Sequence, residues 1–132
     1  MTTRGIRNNN PLNIRKGNKW QGLRDFPTDT EFDEFVSMEY GFRAAFKIIF
    51  TYIQRGDDTM RKIITRWAPP SENNTAAYIR FVANKHFISP DYVLSKNDRY
   101  ALILLVQAMA KMESGMTFNL NIINKAYYMA LK

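Results

Sequence analysis

One carboxylate, Glu113, closes the most apolar run of the chain: Ala-Leu-Ile-Leu-Leu-Val-Gln-Ala-Met-Ala-Lys-Met-Glu-Ser-Gly, from Ala101 to Gly115. A helix that is apolar almost all round is a buried helix. A carboxylate at the end of such a helix is desolvated, and its neutral form is favoured. The negative end of the helix macrodipole acts in the same direction. Both effects raise the pKa, and a carboxylic acid that stays protonated near neutral pH is what general-acid chemistry requires. The competing reading is a Glu that marks where the helix reaches solvent.

Other reactive side chains are scarce. The chain has 132 residues, no cysteine and one histidine, His86, in Asn-Lys-His-Phe at the expected end of a helix, where it reads as a surface residue. Disulfides, thiol chemistry and multi-histidine metal sites are excluded, and neither a metal nor a cofactor is expected. At 45% hydrophobic and 14% aromatic residues the chain can build one real core, so a single domain over residues 1–132 is expected.

Net charge is +7 with a pI near 9.8, which favours anionic partners such as nucleic acid, acidic lipid or an anionic cell wall. Residues 1–24 carry Arg4, Arg7, Arg15, Lys16, Lys19 and Arg24 and no acid, whereas residues 25–34 hold Asp25, Asp29, Glu31, Asp33 and Glu34. The N-terminus lacks the apolar core of a secretory signal, and no stretch is apolar enough to span a bilayer. The expectation is a protein made soluble in the cytoplasm, then carried in a virion or released at lysis if it acts on the wall.

The elements that must position Glu113 follow from pattern. Residues 4–19 read as loop around a core-facing piece, Leu12–Ile14. A small β-hairpin is expected from Lys19 to Phe35, with Trp20 and Leu23 on one arm, Phe32–Val36 on the other and Pro27–Thr30 as the turn. Ser37 reads as the N-cap of an amphipathic helix to Gln54, inward through Phe42, Phe46, Ile49 and Ile53 and stopped by Gly56. Asp57 or Asp58 is the expected cap of a helix carrying Met60, Ile63, Ile64 and Trp67 inward and ended by Pro69-Pro70. A helix over about Asn74–Ala83, with Tyr78 inward, and a short helical turn opened by Ser89-Pro90-Asp91 follow. Ser95 with Asp98 resembles a capping box for the buried helix, about Lys96–Ser114, which Gly115 stops. Asn119 caps a last helix with Leu120, Ile123, Tyr127 and Ala130 inward.

Gly5-Ile-Arg-Asn-Asn-Asn-Pro-Leu-Asn-Ile-Arg15, Trp20-Gln-Gly22, Phe35-Val-Ser-Met-Glu-Tyr-Gly-Phe-Arg-Ala44 and Arg66-Trp-Ala-Pro-Pro-Ser-Glu-Asn-Asn-Thr75 resemble a phage and prophage family whose members are described as virion structural or lysozyme-like proteins. The likeness covers most of the chain. The Glu-Ser-Gly helix end resembles lytic transglycosylases and autolysin-type glucosaminidases, in which that Glu is the catalytic acid. There the helix is followed by a segment similar to Asn9–Arg15. Here that segment comes first, so the resemblance implies a mainly α (α+β), circularly permuted lysozyme-like domain with a small β-hairpin near its N-terminus. Permutation is compatible with termini that lie on the surface, often close together.

On this resemblance Glu113 is the catalytic acid of a glycosidase cleaving the β-1,4 bond between N-acetylmuramic acid and N-acetylglucosamine. A lytic transglycosylase, which needs one acid, fits best. Tyr78, in Asn-Thr-Ala-Ala-Tyr-Ile, resembles the tyrosine that contacts sugar or orients the acid in transglycosylases, with a core tyrosine as the alternative. Asn10 and Asn13 are expected near the cleft floor, or else as loop-capping amides. Ser114, Trp20 and Glu72 are further substrate-contacting candidates, and Trp67 is either a stacking residue or part of its helix's core stripe. Many related enzymes use two carboxylates. Glu31 and Asp33 are candidates for a second one, with Glu72 a further candidate, or the acidic stretch merely offsets the basic arm. The expected partners are peptidoglycan strands and possible virion proteins. A non-catalytic virion or wall-binding protein of the same fold is a rival. Nucleic-acid binding through the basic arm and the Arg61, Lys62 and Arg66 face lacks any base-reading motif.

Overall fold

The computed structural model describes residues 2–132, and among these it forms six helices: α1 (Arg4–Arg7), α2 (Met38–Gln54), α3 (Met60–Trp67), α4 (Thr75–His86), α5 (Arg99–Ser114) and α6 (Leu120–Leu131). The fold is mainly α. Among the described residues no helix is long and apolar enough to cross a membrane.

Helix α5 is the central element. Leu102, Ile103, Leu105, Val106, Ala108, Met109 and Ala110 are all buried, as its near-continuous apolar run requires. It packs against α4, α6 and the short α1, while α2 lies along α6. Phe42, Phe46 and Ile49 of α2 fill the same core as Ile123 and Tyr127 of α6. Phe46 meets the Tyr127 ring edge-to-face with centroids 5.6 Å apart. Leu12, Ile14 and Phe35 join this core from the N-terminal segment, with Leu12 and Phe35 fully buried.

The helix signals hold in most places. Ser37 Oγ accepts from Tyr40 N–H, Asn74 Oδ1 from Ala77 N–H, and Asn119 Oδ1 from Asn121 N–H. Gly115 adopts φ +77° and donates its N–H to the Lys111 carbonyl, the left-handed stop that favours glycine. Asp98 Oδ2 accepts from Ser95 N–H at 2.7 Å, the reciprocal half of a capping box, and α5 proper begins at Arg99 rather than near Lys96.

Five expectations are corrected. The first is the hairpin. Residues 19–36 contain no strand, only the isolated bridges Arg15↔Phe32 and Leu23↔Phe35. Asp33, Glu34 and Phe35 are buried in succession, a pattern that an alternating strand cannot produce. The two expected arms do meet, through Arg24 N–H to Glu34 O and Val36 N–H to Gly22 O, and side chains organise the rest. Asn10 Nδ2 donates to the Ile14 and Asp33 carbonyls, and Asp29 Oδ1 accepts from the Glu31 and Phe32 N–H groups. The partner of residues 31–33 is also the 14–16 segment, through Asp33 N–H to Ile14 O and Lys16 N–H to Glu31 O.

Second, α3 is capped by Thr59, whose Oγ1 accepts from Lys62 N–H, while Asp57 and Asp58 face Arg66 and Lys62. Third, α4 continues to His86 and ends on Phe87 at φ +54°. Fourth, Pro90 and Asp91 form a turn without helix. Fifth, His86 is half-buried, with a buried Nε2 that has no hydrogen-bond partner. The one-turn helix α1 had no sequence signal, because four residues containing a glycine carry no readable apolar period.

Candidate active site

The end of α5 is locked to the N-terminal segment. Ser114 Oγ donates to the Pro11 carbonyl at 2.6 Å across 103 positions, and Thr3 Oγ1 donates to the Ser114 carbonyl at 3.0 Å. The fit depends on Gly5, where an added Cβ would lie 2.3 Å from Ser114 Oγ. Asn13, at φ +55°, donates its Nδ2 to the Glu113 carbonyl at 3.1 Å and reaches Glu113 Oε1 at 3.4 Å. From the other side the buried Tyr78 hydroxyl, carried by α4, donates to Glu113 Oε2 at 3.1 Å. Both carboxylate oxygens are thus fixed in place.

Burial pushes the Glu113 carboxyl above its ordinary range, and the hydrogen bonds from Asn13 and Tyr78 pull partly against it. The Tyr78 phenol is raised well above its usual value by burial and by the neighbouring carboxylate, so it remains a donor.

Glu113 lines a cavity of about 330 Å³ together with Asn13, Arg15, Trp67, Glu72 and Asn73. Phe32 forms part of the wall, with the Arg4 and Arg15 guanidinium carbons 4.6 and 4.8 Å from its ring centroid. The cavity therefore combines an aromatic wall, two amides, one cation and two carboxylates. Among the described residues no three His, Asp or Glu side chains come together as a cation site.

Glu113, Tyr78, Asn13 and Glu72 are brought together, and five other candidates are not. Asn10 is 0% exposed and spends its amide on the Ile14 and Asp33 backbone. Ser114 is 1% exposed and serves as the lock on Pro11, out of reach of a substrate. Trp20 packs against the core away from this cavity, with its Nε1 buried and unpartnered. Glu31 lies outside the cavity in ion pairs with Arg4 at 3.2 Å and Arg15 at 3.4 Å. Asp33 is 5% exposed, and burial raises its carboxyl pKa, but it does not line the cavity either. The acidic stretch mainly offsets the basic arm: Asp29 pairs with Arg4 and Glu34 with Arg24. On the Arg61, Lys62 and Arg66 face each cation likewise meets an aspartate.

Trp67 stands half-buried at the cavity wall although its helix position fits a core stripe. Sequence reasoning missed Arg15 as a lining residue. No local signal could have found it: Asn13 adopts φ +55°, so the segment is not extended and alternation does not say which side Arg15 takes.

Over 117 residues, 85% of its length, the chain is 42% identical to protein P5 of Pseudoalteromonas phage PM2, and the match covers 71% of that protein. No family model matches the chain.

Proposed function

From the premise that this chain belongs to the family of phage PM2 protein P5, we propose that it is a peptidoglycan-degrading glycosidase, a lytic transglycosylase in which Glu113 is the single acid and base. The observation that carries this reading is one carboxyl, raised by burial, oriented by Tyr78 and Asn13, and lining a polar cavity with an aromatic wall. The finer reading of the fold, a circularly permuted lysozyme-like domain, is supported by Asn13 and Pro11. Both meet the Glu-Ser end of α5 although more than one hundred positions separate Pro11 from Ser114.

Protonated Glu113 gives its proton to the glycosidic oxygen as the bond from that oxygen to the sugar C1 breaks. Positive charge develops at C1, and the newly formed Glu113 carboxylate lies beside it. The C6 hydroxyl of the same sugar then attacks C1. Its proton returns to Glu113, and a 1,6-anhydro ring closes. Tyr78 and Asn13 hold the carboxyl in one orientation through both transfers. Trp67 and Phe32 offer apolar surface to sugar faces.

A second reading, hydrolysis by a muramidase-type mechanism, is favoured by one observation: Glu72 lines the same cavity and could activate a water. The phage relative supports a setting in a virion or at lysis.

The test is mass spectrometry of fragments released from purified peptidoglycan by the native protein and by Glu113→Gln. Anhydro-muropeptides from the native protein alone are the expected result. Reducing-end products that depend on both Glu113 and Glu72 would make the enzyme a hydrolase. No release by either protein, across wall types, would leave a non-catalytic virion or wall-binding protein.

A further inference from the structure

A polar cavity of about 610 Å³ opens between α1 and the acidic loop, and it shares no lining residue with the one that holds Glu113. Its walls carry three guanidinium groups, Arg4, Arg7 and Arg24, against two carboxylates, Asp29 and Glu34. Arg4 and Arg7 stand three positions apart on α1, hence on one face of that turn.

The two carboxylates are already saturated. Asp29 Oδ1 accepts from Arg4 Nη2 and from the Glu31 and Phe32 N–H groups, and its Oδ2 accepts from Arg4 Nε and Asn8 Nδ2. Glu34 Oε1 accepts from the Thr28 and Asp29 N–H groups and from the Thr28 hydroxyl, and its Oε2 accepts from Arg24 Nη1. An ionised carboxylate offers about four lone-pair positions, so neither has capacity to spare. Both side chains are also buried, at 8% and 3% exposure, and cannot swing out to meet a further cation.

The donors are not saturated. Arg7 is exposed, and its side chain makes no hydrogen bond or ion pair among the described residues. Arg4 Nη1 is likewise without a partner among them. Arg24 gives Nη1 to Glu34 and Nη2 to the Arg7 carbonyl, and each of these nitrogens keeps a second N–H. Three cations thus face two spent acids, and spare N–H groups converge from three side chains. The complement of such a surface is an anion rich in acceptors. A carboxylate has two coplanar oxygens, which a single guanidinium fork satisfies, whereas the tetrahedral oxygens of a phosphate can serve several forks at once.

We infer that this cavity is a binding site for a phosphate group. Arg7 makes the principal contact, and Arg4 and Arg24, held in place by Asp29 and Glu34, complete it. The cavity is larger than one phosphate and polar, so it takes a phosphate ester with a hydrophilic body. The site stands apart from Glu113 and does not depend on the glycosidase reading.

The experiment is titration calorimetry on the native protein at constant ionic strength, with inorganic phosphate and acetate as probes. Phosphate should bind at least tenfold more tightly than acetate. Arg7→Gln should weaken phosphate binding about tenfold, the effect of losing one charge-assisted contact, and Arg7→Lys should keep part of it. Arg80→Gln removes the same charge from an exposed position on α4 outside the cavity and should change nothing. A monoester, glycerol 3-phosphate, and a diester, glycerophosphoglycerol, identify the source of the phosphate, and binding of either with the same dependence on Arg7 supports the site. Absence of phosphate binding, equal binding of acetate, or equal losses in Arg7→Gln and Arg80→Gln would overturn the inference, the last by reducing it to the general positive field. Because the Arg7 side chain is exposed, its substitution leaves the core untouched.

Discussion

Glu113 sits where two demands on a carboxyl conflict. Burial favours its neutral form, whereas the Tyr78 and Asn13 hydrogen bonds favour the ionised form. Tyr78→Phe removes one of the latter, so the Glu113 pKa rises further and the carboxyl keeps its proton to higher pH. The alkaline limb of the rate profile should move upward, and kcat should fall roughly tenfold as the carboxyl loses a fixed orientation. A limb that stays in place would mean that Tyr78 does not act on the reacting proton. The same conflict affects stability. A carboxyl whose folded pKa lies above its unfolded value stabilises the fold fully below the unfolded value, and that contribution is lost as pH rises through the folded value. Glu113→Gln should therefore gain stability relative to the native protein as pH rises from acid to neutral. Thermal denaturation at pH 4 and pH 7.5 measures this.

At the scale of elements, the site depends on how the end of α5 meets the N-terminal segment. Ser114 Oγ is buried on the Pro11 carbonyl, and Gly5 leaves no room for a side chain beside it. Ser114→Ala leaves that carbonyl without its partner, and a loss of about 1–3 kcal/mol is expected. Gly5→Ala forces the two segments apart, at a comparable or larger loss because the neighbouring atoms belong to packed elements. Both variants should lose activity along with stability, since Asn13 is carried by the displaced segment. Chemical denaturation of each, alongside muropeptide release, tests this coupling. An inactive Gly5→Ala of native stability would separate the lock from the fold.

Across the whole molecule, much of the positive charge is locally compensated. Arg4, Arg24, Arg61, Lys62 and Arg66 each face an acid, yet the chain retains a net charge of +7. A general field of that sign steers the protein towards anionic polymers without specifying one. Adsorption to purified cell wall should fall several-fold between about 50 and 200 mM salt, as surface fields are screened over about 10 Å. Release of product from short neutral oligosaccharides should change far less over that range. Equal salt dependence for both would assign the charge to the cleft itself.

The sequence by itself determined the five longer helices and one chemical group. Apolar periodicity and local caps at Ser37, Asn74, Gly115 and Asn119 are signals carried within a turn or two of the chain, and they place α2, α4, α5 and α6 well. The near-continuous apolar run before Glu113 likewise carried its burial, because a helix without a broad polar face has nowhere to sit except inside. Residues 4–36 were not legible in this way. Their shape comes from amide and carboxylate contacts of Asn10, Asp29 and Glu34 with backbone up to 23 positions away, and no local pattern encodes such partners. Only the tertiary structure could separate Asn13, which meets Glu113, from Asn10, which is consumed by the loop, although the two are of one residue type and three positions apart. It alone set Arg15, Trp67 and Glu72 around one cavity and removed Trp20, Glu31, Asp33 and Ser114 from it. A site is a coincidence in space of distant segments, and a one-dimensional pattern records the residues but not their meeting.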